Sequence, residues 1–206
     1  MDPVDVALCL AMDVSASVDF DEFALMAGGT AAALRDPSVL AAATSGPRRA
    51  AAICLVLWSG VGGQDVALGW TRLDGPDSAA AIADAVENTP RLPPPGATAL
   101  GEGMAAGLAM LGAFPGEATR YVMDVSGDGP HNQGRAPGPV RDLAVAAGIT
   151  VNALAILNEE PDLLAHYAAE VIGGPGSFAM ACADYVDFAD AILRKLRREF
   201  SGSLVA

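Results

Sequence analysis

Aromatic side chains are scarce, at 5% of 206 residues, although 52% of the chain is hydrophobic. Its core must therefore be built from Ala, Val, Leu and Ile, and the length suits one good core rather than two, giving an expected single domain over 1–206. Basic residues are also few, 12 against 25 acidic ones, for a formal net charge of −13. Such a surface repels a phosphate backbone and makes nucleic acid a poor partner. Cysteine occurs three times, at Cys9, Cys54 and Cys182. The odd count and the spacing fit no zinc pattern, and Cys9 and Cys54 sit in apolar runs as small hydrophobes. Two histidines, His131 and His166, cannot supply a multi-histidine site. No apolar run reaches transmembrane length, and no low-complexity tail or internal repeat occurs. The start, MDPVDVALCLAMD, is acidic and meets Asp13 too soon for a signal peptide. The expected compartment is the cytoplasm, or the periplasm or exterior if DPVDVAL begins a processed form.

Strand and helix patterns alternate. Val4–Met12 is a continuous apolar run, as in a strand buried on both faces. Asp19 and Glu22 form a capping pair for a helix carrying Phe20, Phe23, Met26 and Ala27. Ala51–Ser59 and Gln64–Leu73 read as strands joined by a short Gly-containing turn, hence an antiparallel hairpin. Helices are expected over Ser78–Glu87, capped from Asp77, and over Gly96–Phe114, with Thr98 at its start. Strand four is Arg120–Gly129, strand five Ile149–Leu157 and strand six Ser177–Cys182; helices fall at Val140–Ala147, Asp162–Val171 and Tyr185–Phe200. Met26, Met104 and Met110 read as core filler. The one basic cluster, RKLRREF at Arg194–Phe200, ends the last helix, where cations complement the helix dipole; anion binding is the lesser alternative. Alternating strands and helices mean an α/β fold, a mostly parallel six-stranded sheet between helical layers.

In such a sheet the ligand crevice lies at the carboxyl ends of the strands, where strand order reverses. Three loops rich in oxygen side chains reach it: Asp13–Ser17, Gly96–Thr98 and Ser126–Asn132. In an extended segment, residues two apart point the same way, so Asp13, Ser15 and Ser17 can aim at one point. With Thr98 and Asp128 they offer two carboxylates and three hydroxyls, a donor set suited to magnesium; manganese and calcium are alternatives. The plainer reading is that Asp13 and Ser15 satisfy backbone amides at a strand-to-helix turn.

These residues carry a resemblance. DVSAS, the Thr of GATALGEG and the Asp of SGDG are similar to the metal-ion-dependent adhesion site of von Willebrand factor A domains. DVSASVDFDEF, WSG at Trp58–Gly60, GWTRLDG at Gly69–Gly75 and DVSGDGPHN at Asp124–Asn132 resemble, across the chain, a bacterial von Willebrand factor A-like family of unknown function. The resemblance implies a Rossmann-like three-layer sandwich with one short antiparallel edge strand, and a metal shell of Asp13, Ser15, Ser17, Thr98 and Asp128. Two departures stand out. Ala16 replaces a common glycine, and SGDG stands where TDG is frequent. Asp124 is read as a buried hydrogen-bonded carboxylate or an acceptor behind the ligands, Asn132 as a turn former, and His131 as a solvent-facing loop residue.

The resemblance implies a binding module, not an enzyme: a divalent cation completed by an Asp or Glu of a protein partner, the chain being monomeric without it. The alternative is a magnesium-dependent phosphoester hydrolase using Asp13, Asp124 and Asp128; a structural subunit with a vestigial site is weaker. Against the hydrolase, Ser15 occupies the place of the general-acid Asp of haloacid-dehalogenase-type phosphatases, and no lysine stands in the motif loops. No G-x-x-x-x-G-K-[ST] loop occurs and no G-x-G-x-x-G follows strand one. VSGDG is not a nucleophile elbow, because Asp128 takes the serine's place.

Overall fold

The computed structural model describes residues 1–202; the last four residues of the expected 1–206 domain lie outside the described residues. Thirteen elements follow in order: β1 (Val4–Asp13), α1 (Phe20–Arg35), α2 (Pro37–Ala43), β2 (Ala51–Trp58), β3 (Gln64–Leu73), α3 (Pro76–Glu87), α4 (Leu100–Gly112), β4 (Ala118–Gly127), α5 (Pro137–Ala146), β5 (Ile149–Ile156), α6 (Leu163–Glu170), β6 (Ala179–Cys182) and α7 (Phe188–Ser201). The six strands form one sheet in the order β3-β2-β1-β4-β5-β6. Five strands are parallel and β3 runs antiparallel along the edge, so the expected α/β Rossmann-like sandwich is the fold.

The strand β1 is buried along its whole length, because both of its faces are covered. Val6, Leu8, Leu10 and Met12 face one core with Met26, Leu34, Ile82, Phe188 and Leu196 of α1, α3 and α7. Ala7, Cys9 and Ala11 face the other with Trp58, Leu100, Met104 and Tyr167. All three cysteines are free and buried. Small side chains let the layers approach closely: a Cβ on Gly103 of α4 would come within 2.4 Å of the Trp58 ring. Among the described residues no helix is long and apolar enough to cross a membrane.

Several local readings change. The helix α2 was not expected; its signal is Asp36-Pro37, where Asp36 caps the first turn by accepting from Ser38 N (2.8 Å) and Pro supplies a preset φ. The cap of α3 is not Asp77: Ser78 Oγ accepts from Asp74 N and Gly75 N at 3.0 and 3.1 Å, and the helix begins at Pro76. The helix α4 starts only at Leu100, which leaves Gly96–Ala99 as loop. Around α1 the expected capping box is present, with Glu22 N donating to Asp19 Oδ1 (2.8 Å) and Asp19 N to Glu22 Oε2 (2.9 Å).

The basic cluster on α7 departs furthest from its sequence reading. Lys195, the one lysine in the sequence, is fully buried and lies 2.7 Å from both Asp124 Oδ1 and Glu199 Oε1. Asn152 Nδ2 donates to the other Glu199 oxygen (2.7 Å), and Asn152 Oδ1 accepts from Phe178 N (2.8 Å). Arg198 lies over the Phe178 ring at 3.8 Å. Lys195 thus complements carboxylates inside the sheet sandwich rather than a helix dipole. Burial lowers the lysine's proton affinity, but Asp124 and Glu199 outweigh it and the net shift is upward. Burial pushes both carboxyls up, against the attraction of Lys195.

Candidate metal centre

The strands β1 and β4 are neighbours, and their outgoing loops leave toward different elements, which makes their carboxyl ends the switch point of the sheet. The β1–α1 loop (14–19) is not extended. Ser15 N donates to Asp13 Oδ1 (2.7 Å), and Val18 N donates to Ser15 O (3.1 Å). The aspartate therefore folds the backbone into an Asx turn, and it is this turn, not strand alternation, that gathers the hydroxyls. Ser15 Oγ and Ser17 Oγ lie 3.2 Å apart, and Ser17 Oγ donates to Asp128 Oδ1 (2.8 Å). Arg91, unnoticed in the sequence, holds the turn from outside by donating to the carbonyls of Val14, Ser15 and Val18.

The third loop is tied to the first two. Ala16 N donates to Gly96 O (2.8 Å) and Ala99 N to Ser59 O (3.1 Å). Ala16 thus serves as a backbone donor without needing glycine's freedom. Thr98 N donates to Asn132 Oδ1 (2.9 Å) and Asn132 N to Thr98 O (3.1 Å). Asn132 therefore does more than shape its own turn; it fixes Thr98. A Cβ on Gly129 would lie 3.6 Å from Thr98 Oγ1, so Thr98 stands against the residue following Asp128. His131 is half-buried with an unpartnered Nδ1, not freely solvent-facing. Gly127 has a steric reason in SGDG: a Cβ there would meet Tyr167 Oη at 2.8 Å and Asp13 Oδ2 at 2.9 Å.

The five residues singled out in the sequence thus meet around one crevice. Asp13, Ser15, Thr98 and Asp128 are buried and Ser17 is exposed. Asp128 is doubly held, because Tyr185 Oη donates to its second oxygen at 2.8 Å; Tyr185, at the β6–α7 loop, carried no motif signal. Asp13 Oδ2 has no hydrogen-bond partner. No ion pair to Asp13 or Asp128 is present among the described residues. Burial first, and the charge of Asp128 second, push the Asp13 carboxyl up from 3.8 to about 8. The Tyr167 and Tyr185 hydroxyls are also raised, by burial and then by these carboxylates. Among the described residues no three His, Cys, Asp or Glu side chains converge, so a cation here would have to draw on the hydroxyls as well. The donors are all hard oxygens, as magnesium, manganese and calcium require.

The fold is shared with solved structures of low sequence identity. A von Willebrand factor type A protein from Catenulispora acidiphila is 18% identical at a TM-score of 0.66, over 96% of this chain and 43% of its own. The pilus adhesin SpaC from Lactobacillus rhamnosus GG is 15% identical at 0.69, over 96% and 31%. Proximal thread matrix protein 1 from the mussel byssus, solved with a zinc-occupied MIDAS motif, is 17% identical at 0.68, over 96% and 46%. The chain spans less than half the length of each. No curated relative matches the sequence. The chain has the von Willebrand factor A fold, and, matching over residues 3–204, it belongs to the family described as "Protein of unknown function (DUF1194)".

Proposed function

We propose that the chain is a single divalent-cation-dependent protein-binding domain. The observation that carries this reading is Asp13 Oδ2, a buried carboxylate oxygen with no donor, in a crevice shared with buried Asp128; among the described residues neither acid is ion-paired, and the nearby Arg91 spends its guanidinium on the carbonyls of the turn. Ionising such a carboxyl is costly, and an external cation removes the cost. Asp13, Ser15, Ser17, Thr98 and Asp128 are the residues that would hold the ion, with magnesium the first choice and manganese or calcium next. When bound, the ion supplies a Lewis-acidic position to which an Asp or Glu of a protein partner can attach. The chain's own residues prepare that position. The Asx turn and Arg91 fix Asp13, Ser15 and Ser17; Asn132 fixes Thr98; Tyr185 and Ser17 orient Asp128. A structural relative solved with zinc at this motif and another that is a pilus adhesin agree with a metal-dependent binding role.

The two acids of the crevice, Asp13 and Asp128, would both be committed to the ion, which leaves neither free for proton transfer at a reacting atom. His131 sits on the loop that ties Asn132 to Thr98. We therefore expect no phosphoester hydrolysis. Calorimetric titration with magnesium and manganese at millimolar concentration tests the reading, beside a pull-down from native extract in metal and in chelator. Absence of metal binding would refute it. So would hydrolysis of a generic phosphoester that survives repurification and vanishes in Asp13→Ala and Asp128→Ala.

A further inference from the structure

Ten large apolar side chains are exposed among the described residues, and four of them stand at the carboxyl end of the sheet, one at the start of α1 and three on loops. Phe20 is 74% exposed, Val61 59%, Leu92 46% and Val186 77%. Each is attached to a residue that builds the crevice. Phe20 opens α1 just after the Asx turn, and the Arg91 guanidinium, which holds that turn, lies 5.2 Å from its ring. Leu92 follows Arg91. Val61 sits in the β2–β3 turn, its N–H donated to Gln133 Oε1 (3.0 Å) from the loop that carries Asn132. Val186 follows Tyr185, the donor to Asp128, and its own N–H is held by Asp184 Oδ1 (2.8 Å).

The arrangement is an apolar collar around a polar centre, inverted from the usual interface with an apolar core and a polar rim. Apolar side chains on backbone fixed by hydrogen bonds lose little freedom on contact, so they favour binding more than mobile ones would. We propose that this face recognises a protein segment whose metal-seeking Asp or Glu is flanked on both sides by apolar side chains. This inference rests on the metal-site reading above. Charge selects the occupant. With a net charge of −13 the chain is repelled by anionic bilayers, whereas one carboxylate entering a cation-bearing crevice is matched at the centre and its flanks are matched by the collar.

The test titrates the full chain, saturated with manganese, with labelled pentapeptides. Ala-Leu-Asp-Val-Ala carries apolar flanks, Ala-Ser-Asp-Asn-Ala polar flanks, and Ala-Leu-Asn-Val-Ala lacks the carboxylate. The expected result is a preference of about tenfold for the first over the second, and loss of binding with the third. In the double variant Val61→Ser/Val186→Ser, which leaves Phe20 and its contact with Arg91 intact, the preference should shrink to about twofold, with manganese binding by calorimetry unchanged. Equal affinity for the two Asp peptides, in a protein that does bind manganese, overturns the collar inference alone. Failure of the wild-type protein to bind manganese overturns the metal reading beneath it, a separate result. Two other outcomes overturn the inference if peptide discrimination is absent: partitioning onto neutral phosphatidylcholine vesicles that the double variant loses, which would make the collar a lipid contact, and manganese-dependent self-association, which would make the occupant a second copy.

Discussion

Asp13→Asn should make the metal-free protein more stable and the metal-bound protein less so. The wild-type carboxyl is raised from 3.8 to about 8 by burial and by Asp128. For a carboxyl raised in the folded state, the folded protein retains a proton that the unfolded chain releases, so stability falls as pH rises between these values and levels off above the upper one. At 1.36 kcal/mol per unit, retaining that proton costs the fold about 4 kcal/mol at pH 7 relative to acid. The amide removes the charge and keeps an oxygen to accept from Ser15 N, but it leaves a buried NH2 that costs about 1–3 kcal/mol if poorly paired. The net expectation is a gain of about 1–3 kcal/mol for the variant in chelator near pH 7, shrinking toward zero near pH 5, where the unfolded chain begins to hold the proton that the folded wild type keeps. In magnesium at about a hundred times its dissociation constant the order reverses, because only the wild type gains the linkage term of about 2.7 kcal/mol. Urea unfolding across this pH range, with chelator and with magnesium, reads both signs. A variant that is less stable than wild type in chelator near pH 7, or a difference that does not change with pH, would refute the reasoning and make the Asx turn the whole purpose of Asp13.

Arg91→Ala should weaken magnesium or manganese affinity by about fivefold or more, since it releases three carbonyls of the turn and charge-assisted bonds are each worth about 1.5–3 kcal/mol; calorimetry checks this, and unchanged affinity would count against Arg91 as the positioner of the turn. Lys195→Met should cost about 3–5 kcal/mol, because it leaves Asp124 and Glu199 buried without their cation. That loss should be smaller near pH 5 than near pH 8, since the two carboxyls, already raised by burial, protonate more readily once the lysine is gone; urea unfolding at both pH values measures it. The glycines of the helices should divide by their surroundings. A Cβ on Gly28 meets nothing within 4 Å, so Gly28→Ala should add about 0.5–1 kcal/mol of stability. Gly103→Ala drives a methyl into the Trp58 ring and should cost about 1–3 kcal/mol; thermal unfolding of both variants should give shifts of opposite sign.

The order and kinds of the strands were legible because apolar runs such as Val4–Met12 leave no other reading, and the short turn before Gln64 fixes the antiparallel edge. The candidate site was legible as a set of residue types in three loops, since each hydroxyl and carboxylate stands in a recognisable strand-to-helix junction. Its supporting contacts were not. Arg91 and Tyr185 lie in segments with no motif, and only the packing of the loop before α4 and of the β6–α7 loop brings them to Asp13 and Asp128. The α7 cluster misled for a related reason. RKLRREF has three arginines and a lysine at helical spacing, and composition alone does not say which one turns inward. The face of α7 that carries Phe188, Ile192, Leu196 and Phe200 into the core also carries Lys195 and Glu199, and the partner that makes their burial tolerable, Asp124, is far away in sequence on β4.

That partner shows what is peculiar about the crevice. The strand β4 and the residue after it bury two aspartates, Asp124 and Asp128. For Asp124 the chain supplies its own cation, in contact at 2.7 Å. For Asp128 it supplies two hydroxyl donors, and beside it places Asp13, a further acid with one oxygen left unpartnered. A lysine or arginine at the second position would relieve the repulsion permanently, as Lys195 does at the first. Leaving the charge unpaired would lower the stability of the metal-free fold and, on the proposed reading, couple it to an exchangeable cation. By linkage, whatever raises cation occupancy also raises stability, and a partner carboxylate that binds the cation must tighten the cation's hold by the same factor that the cation tightens the partner's. The measurement that decides this is a pair of titrations with the apolar-flanked Asp peptide, one reading its affinity as manganese is raised, the other reading manganese affinity as the peptide is raised. The two enhancement factors should be equal. A peptide whose affinity ignores manganese would break the coupling and leave Asp13 as an unexplained cost to the fold.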